Sequence, residues 1–306
     1  MRAIRVSDRD RRQVSDEEMP TPMPGIGDVL VRVEAASYTP TELDWPSTWV
    51  DRSGRDRAPI VPGHEVSGTV TALGYGTTGW AIGDAVYGLT DWYRDGAAAE
   101  FVAVEARNLA AKPAEVSHNE AASLPLAGLT AWQGLFVHGR LGREQTVVII
   151  GAAGGVGSLA VQLARDAGAR VVGVAHAWAR PFLADLGVEV FVDAEHAKGF
   201  DLDDADLLLD LVGGDLVDQC SSMLRPGGIA VSAVDPDIAV GGVSRFFVVE
   251  PDRTQLVELA LLVDAGRVRP VVGKVVDLAE ATDRRLALKT GGGIPGKVVI
   301  HLPGSS

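Results

Sequence analysis

The stretch from Thr146 to Val174, TVVIIGAAGGVGSLAVQLARDAGARVVGV, restricts the fold more than any other part of the chain. Thr146 to Ile150 is a short apolar run of the kind that forms a strand buried on both faces. A turn with glycines at 151, 154, 155 and 157 follows at once. Behind it, Val156, Leu159, Ala160, Leu163, Ala164 and Ala167 keep helical spacing, and Gly168 supplies the stop. A second apolar run, RVVGV, then begins. Strand, glycine turn, amphipathic helix and strand form one βαβ unit. Side chains in such a turn would block a pyrophosphate from the free N–H groups at the helix start, so glycine is needed there. We therefore read Gly151, Ala153, Gly154, Gly155, Val156 and Gly157 as a cradle for a dinucleotide.

The end of the second strand bears on which dinucleotide. An Asp or Glu there binds the ribose hydroxyls of NAD. This chain reads VVGVAHAWARPF, with His176 in that region, Arg180 four residues on, and no carboxylate. The missing acid removes repulsion against a 2′-phosphate, and an arginine can pair with one. NADPH is the expected cofactor, with His176 and Arg180 at its adenosine end.

Two textures flank and surround this unit. Residues 1–118 carry short β-like runs, DVLVRVEAA, VSGTVTAL, AVYGL and AEFVAV, separated by Gly, Pro and Asp turns. Residues 119–249 alternate strands with helical stretches; the strand candidates are TVVII, RVVGV, VEVFV, DLLLDLV, IAVSAV and RFFVV. Six parallel strands complete a doubly wound dinucleotide-binding sheet. Residues 250–306 offer a helix, DRTQLVELALLVDAG, then KVVDL, another helical stretch, and GKVVIHL. These pieces lack a βαβ partner and are expected to return to the first domain.

Composition excludes several classes. The net charge of −13 repels nucleic-acid phosphates and anionic membranes, and no basic cluster offsets it. The mixed charges of DRDRRQ near the start read as a solvated turn, and the charged opening MRAIRVSDRDRR does not look like a signal peptide. A cytoplasmic protein is expected. Cys220 is the single cysteine, so neither an intrachain disulfide nor a Cys-rich zinc site can form. Nothing near Cys220 in sequence would lower its pKa, which points to a packing role.

The ordered set VPGHEVSGTV, GDAVYGL, AAAEFVAV, LPLAGLTAWQGL, GAAGGVG, LRPGG and GKVVI resembles the medium-chain dehydrogenase/reductase superfamily. Its zinc-independent, quinone oxidoreductase-like branch is the nearest. The resemblance spans nearly the whole chain. It implies an α/β protein with a Rossmann doubly wound parallel sheet and a GroES-like irregular β-barrel catalytic domain built from both chain ends. The cofactor is then expected in the cleft between domains, and a homodimer is the usual assembly.

Zinc-dependent relatives have a Cys near the segment that reads SYTPTELDW here, where Thr39 stands, and their four-Cys structural site has no counterpart. His64 and Glu65 alone are too few for a zinc that takes three protein ligands, so no metal is expected. Without zinc, oxidising a simple alcohol is difficult, because nothing stabilises the alkoxide. Reducing a quinone or enone demands less, since a few hydrogen-bond donors suffice for the oxygen that gathers charge. The candidate donors are Tyr38, Thr39 and Thr41. Where the family commonly has Asn and Asp, this chain has Thr39 and Glu42. Thr130 matches a family position near the nicotinamide, and Phe246 and Val248 lie in the strand that reaches the cofactor amide in relatives. Trp49, Trp92 and Tyr93 are candidates for an aromatic-accepting pocket, with Arg94 beside them for an acidic substrate group. The expected activity is an NADPH-dependent reductase of a conjugated carbonyl. An enoyl-thioester or polyketide-tailoring reductase, and a non-catalytic NADPH-binding protein, are the alternatives.

Overall fold

In the computed structural model, residues 1–9, 13–39, 41–240, 242–282 and 293–302 are described. The chain divides into two units: Met1–Leu126 with Pro251–Asp264 and Val272–Ser306, and Ala127–Glu250 with Ala265–Val271.

The first unit opens with an antiparallel pair, β1 (Arg2–Val6) and β2 (Val14–Glu18). The turn expected at DRDRRQ lies in part, at residues 10–12, outside the described residues. There follow β3 (Asp28–Tyr38), α1 (Pro46–Trp49), β4 (Glu65–Leu73), β5 (Ala85–Leu89), β6 (Phe101–Glu105), β7 (Leu109–Ala111) and α2 (His118–Ala121). α3 (Pro125–Trp132) carries the chain into the second unit, and its last turn widens into a π-helical stretch, Gln133–His138.

The second unit contains β8 (Thr146–Ile150), α4 (Gly155–Asp166), β9 (Arg170–Ala175), α5 (Arg180–Asp185), β10 (Val190–Asp193), β11 (Ala205–Asp210), α6 (Asp215–Cys220), β12 (Leu224–Ser232) and β13 (Val243–Phe246). The chain then supplies α7 (Arg253–Asp264), β14 (Val272–Asp277) and β15 (Lys297–His301) to the first unit. The helical stretch expected after KVVDL lies mostly outside the described residues, which show a 3₁₀ turn at Glu280–Thr282.

The six strands of the second unit are hydrogen-bonded in the order β10-β9-β8-β11-β12-β13, every pair parallel. All five residues of β8 are buried, as an unbroken apolar run in mid-sheet requires. The chain winds outward from β8 through β9 to β10, returns to β11 beside β8, and winds the other way. Ligands of such sheets bind where the winding reverses, beyond the carboxyl ends of the strands. Here that place lies beyond Ile150 of β8 and Asp210 of β11.

Two strand ends differ from expectation. β12 begins at Leu224, ahead of IAVSAV, through a register shift against β11. β13 leaves the sheet after Phe246, so Phe247 to Val249 of RFFVV are not strand. The cause is local: Gln133 donates from Nε2 to the Glu250 carbonyl at 2.8 Å and accepts the Glu250 N–H at 3.1 Å, drawing the chain off the edge.

The first unit has a seven-stranded sheet in which β3 is the organising strand. One edge of β3 pairs with β4 along its length, with register shifts at Leu30/Val31 and Val33/Ala35. Its other edge is shared: residues 28–32 pair with β6 and residues 35–38 with β15. Such shifts bend a strand and re-aim its end. This hand-over sets Tyr38 opposite Val298 and brings Thr39 to Lys297. A core of valines and alanines from β3, β4, β5 and β6, with Ile4, Ile300 and Leu302, fills the unit.

The return at residue 250 was expected to be complete, yet residues 265–271 stay with the second unit. The Gln162 side chain on α4 donates to the Arg269 carbonyl at 3.0 Å and accepts its N–H at 2.9 Å. Arg267 also pairs with Asp166 through two bonds, at 2.6 and 2.7 Å. The first unit likewise runs past 118 to Leu126, whose N–H is taken by Glu65 Oε1 at 2.9 Å.

Candidate active site: a cofactor cradle and a reaction loop

In the second unit the turn Gly151–Gly154 joins β8 to α4. Gly151 has a φ of 84°, a left-handed conformation that L side chains rarely adopt, and Gly154 caps the helix. Gly157 is required for another reason: a Cβ there would lie 2.1 Å from the Gly151 carbonyl oxygen and 2.7 Å from Ala152 Cα. Its hydrogen lets α4 start directly against the strand end. Gly154 is exposed and Gly155 and Val156 half-exposed, whereas Ala152, Ala153 and Gly157 are buried. The first N–H groups of a helix have no carbonyl within the helix to bond, so an open, side-chain-free helix start remains beside the point where the sheet winding reverses. These residues fit a pyrophosphate.

Asp210, at the end of β11, has no counterpart in the sequence reading. It is buried, accepts the N–H groups of Val212 and Gly213 at 3.0 and 2.8 Å, and accepts the Ser232 hydroxyl at 2.6 Å. It thereby holds the loop that faces Gly151, where a Cβ would meet Val212 at 2.8 Å. Its only sequence signal is its place at a strand end.

At the end of β9, His176 is exposed and starts a 3₁₀ turn, Ala177–Ala179. Arg180 is exposed too, with its guanidinium 4.5 Å from the centre of the Phe191 ring. The stack holds the arginine's plane while leaving its edge donors open. Thr130 lies buried in α3. Phe246 ends β13 at 40% exposure and Val248 follows at 63%, while the intervening Phe247 turns inward and stacks on His138 at 4.6 Å. Cys220 is packed in the core under the sheet, where burial pushes its thiol up to about 12.

In the first unit the three proposed donors separate. Tyr38 is buried and lines an apolar cavity with Ile4, Val6, Leu43, Val298 and Ile300. Thr41 is exposed and opens a 3₁₀ turn, Glu42–Asp44, without a side-chain cap bond. Thr39 is half-exposed, and its Oγ1 accepts a hydrogen bond from Lys297 Nζ at 3.2 Å.

Lys297, Glu65 and Glu42 around Thr39 form a buried charged group that the sequence reading did not assemble. Lys297 pairs with Glu65 Oε2. Glu42 accepts the Gly63 N–H at 2.6 Å and faces the Thr39 N–H at 3.4 Å. Burial raises the Glu42 carboxyl from 4.5 to about 7, against the pull of those N–H groups and of Lys297. Thr48 Oγ1 ties down the Glu42 carbonyl at 2.5 Å.

His64 is buried, its Nδ1 2.8 Å from Thr90 Oγ1 and its ring edge-on to Trp92 at 5.0 Å. Burial, with Arg57 nearby, lowers its pKa to about 4, so it is neutral at pH 7. Among the described residues no three His, Cys, Asp or Glu side chains converge as a metal group. Glu65 is occupied by Lys297 and the Leu126 N–H, and a threonine stands at 39. This donor set does not fit zinc.

The aromatic candidates are corrected in part. Trp49 is core, packed with Val6, Leu43 and Ile60, its Nε1 donating to the Leu43 carbonyl at 2.8 Å. Arg94 is held by Asp28 through two bonds, at 3.1 and 2.7 Å. Tyr93 carries the Arg52 guanidinium 5.3 Å from its ring centre. Trp92 packs edge to face with Trp45 at 5.4 Å, a partner the sequence reading missed.

Comparison with known proteins bears on both units. Residues 25–114 match the alcohol dehydrogenase GroES-like domain, and residues 155–234 match the family model described as zinc-binding dehydrogenase. The second match lies on the cradle-bearing sheet, away from His64. The chain is 32% identical over 289 residues to 2-methylene-furan-3-one reductase of Solanum lycopersicum, covering 89% of this chain and 71% of that one. It is 31% identical over 258 residues to the chloroplastic NADPH-dependent alkenal/one oxidoreductase of Arabidopsis thaliana, covering 80% and 64%. The solved quinone oxidoreductase of Coxiella burnetii superposes with a TM-score of 0.87 over 99% of both chains at 29% identity. Because these matches extend through both units, the chain belongs to the medium-chain dehydrogenase/reductase superfamily, in its quinone oxidoreductase-like group, and is an oxidoreductase served by a nicotinamide cofactor.

Proposed function

We propose that the protein is an NADPH-dependent, zinc-independent reductase of conjugated carbonyl compounds, a quinone or an enone. The observation that carries the reading is the half-exposed Thr39 just after β3, its hydroxyl bonded by Lys297, in a site whose donor set does not fit zinc. The cofactor preference is supported by the exposed Arg180 after β9, where no carboxylate stands to repel a 2′-phosphate. One relative is named for NADPH and for alkenals and enones, which agrees with this choice.

Gly151 to Gly157 bind the pyrophosphate through backbone N–H groups, and Arg180 meets the 2′-phosphate. The bound cofactor supplies hydride to the electron-poor carbon. The conjugated π electrons then move to the carbonyl oxygen, and the Thr39 hydroxyl donates to that oxygen as charge gathers on it. Water delivers the closing proton, so the acceptor gains two electrons and two hydrogens while NADPH is oxidised to NADP⁺.

A homodimer through β13 is part of the proposal: among the described residues β13 pairs on one side with β12, and Val243 and Phe246 are exposed. No helix of the described residues is long and apolar enough to cross a membrane. The test is NADPH oxidation against a panel of quinones, small enones and acyl thioesters, repeated with NADH and after chelation. Turnover with quinones or enones that prefers NADPH and survives EDTA supports the reading. Zinc-restored activity, or oxidation of NADPH by none of the panel, overturns it.

A further inference from the structure

We infer that Lys297, held by Glu65, is a positioning residue that biases the Thr39 hydroxyl toward donating a hydrogen bond to an oxyanion. The inference rests on the proposed reduction of a conjugated carbonyl and names how that site handles the charge.

The reasoning starts from donor inventory. A lysine ammonium has three N–H donors and no acceptor. Its contact with Thr39 Oγ1 at 3.2 Å therefore uses an oxygen lone pair and leaves the threonine hydrogen for another partner. Unassisted, a threonine hydroxyl rotates and serves acceptors or donors alike. Lys297 takes one of the two lone pairs and so biases the hydroxyl toward donating. The cation behind the oxygen also makes the hydroxyl a stronger donor, because withdrawing electron density favours the anion that accepts from it.

Lys297 is itself fixed. It is 9% exposed and pairs with the fully buried Glu65, whose other oxygen is held by the Leu126 N–H at 2.9 Å. Strand pairing of β15 with β3 brings the residue to the end of β3. The buried line from the Leu126 amide through Glu65 and Lys297 ends on the half-exposed Thr39. The Lys297 ammonium, its charge countered by Glu65, thus stands behind Thr39 in a setting where water screens it poorly.

The test uses a stable mimic of the charged product oxygen. Binding of 2,4-dinitrophenolate and of its neutral analogue 1,3-dinitrobenzene is measured by calorimetry on the full chain with NADP⁺, at a pH of about 5.5, where the phenol is ionised and Glu42 keeps its proton. Wild type is expected to prefer the phenolate by about tenfold or more. T39V and K297M each lose that preference, whereas T39S and K297R keep most of it. K297M leaves Glu65 buried without its cation and is expected to fold less well, so K297M/E65Q, which removes both charges, is measured beside it with the same loss expected. The T39V/K297M pair is to be no worse than either single variant, since both act on one hydrogen. Retained preference in K297M or K297M/E65Q, or T39V and K297M effects that multiply, overturns the inference. So does a wild type indifferent to charge. If the phenolate preference depends on Thr39 and Lys297 but no acceptor is ever reduced, the functional reading fails and this inference stands.

Discussion

Replacing Glu42 with glutamine isolates the cost of a buried, titrating carboxyl. Gln keeps an oxygen for the Gly63 N–H at 2.6 Å and stays neutral at every pH. In the wild type, burial holds the proton on Glu42 up to about 7, against 4.5 for an ordinary glutamate. The groups acting on it are Lys297, which favours ionisation, and Glu65, which opposes it. Between those two pH values the folded chain binds more protons than the unfolded chain, so stability falls as pH rises through the window. Integrated from pH 5 to pH 8, the loss is about 2 to 3 kcal/mol, which the variant does not suffer. Urea unfolding at the two pH values, followed by tryptophan fluorescence, measures it. Trp45, Trp49, Trp80 and Trp92 all belong to the first unit, so the signal reports chiefly on the fold around Glu42. The variant should gain on the wild type by about 2 to 3 kcal/mol in going from pH 5 to pH 8. A stability difference constant to within about 0.5 kcal/mol across that range would refute the reasoning.

The cradle separates two kinds of glycine. Gly157→Ala puts a methyl 2.1 Å from a backbone oxygen and should destabilise the second unit by about 3 kcal/mol or more, read by thermal unfolding. Gly154→Ala meets only the Gly151 oxygen at 3.4 Å, so it should fold normally yet bind NADPH about tenfold more weakly, because the methyl stands in the phosphate's approach. Arg180→Ala should lower kcat/KM with NADPH about tenfold while sparing NADH; equal effects on both would reduce the residue to its stack on Phe191. Tyr87→Phe removes the buried hydroxyl that donates to the Leu256 carbonyl at 2.5 Å, tying α7 to the sheet, and should cost about 1 to 2 kcal/mol in denaturant unfolding.

What a short segment encodes in its own neighbours was readable before folding. The apolar run of β8, the glycines behind it and the spacing of α4 are constraints within a few turns of chain, and they suffice for the cradle. Strand and helix alternation likewise sufficed for the six-stranded parallel sheet. The reaction loop is different. Lys297 and Glu65 sit in GKVVI and GHEVSG, where each reads as a strand-end residue, and only pairing of β15 and β4 to opposite edges of β3 brings them together. Glu42 looked like a family departure; burial made it a carboxyl that titrates near neutrality. The pairing of Arg94 with Asp28 and the placing of the Tyr38 ring against an apolar cavity were likewise not legible in the sequence. Side-chain periodicity tells which face of an element is covered, not which distant charge will meet it there. That meeting depends on strand order, register and bulges, and for this protein it is what separates a glycine turn ahead of a helix, visible in one stretch of letters, from a threonine hydroxyl bonded by a lysine 258 residues away in sequence.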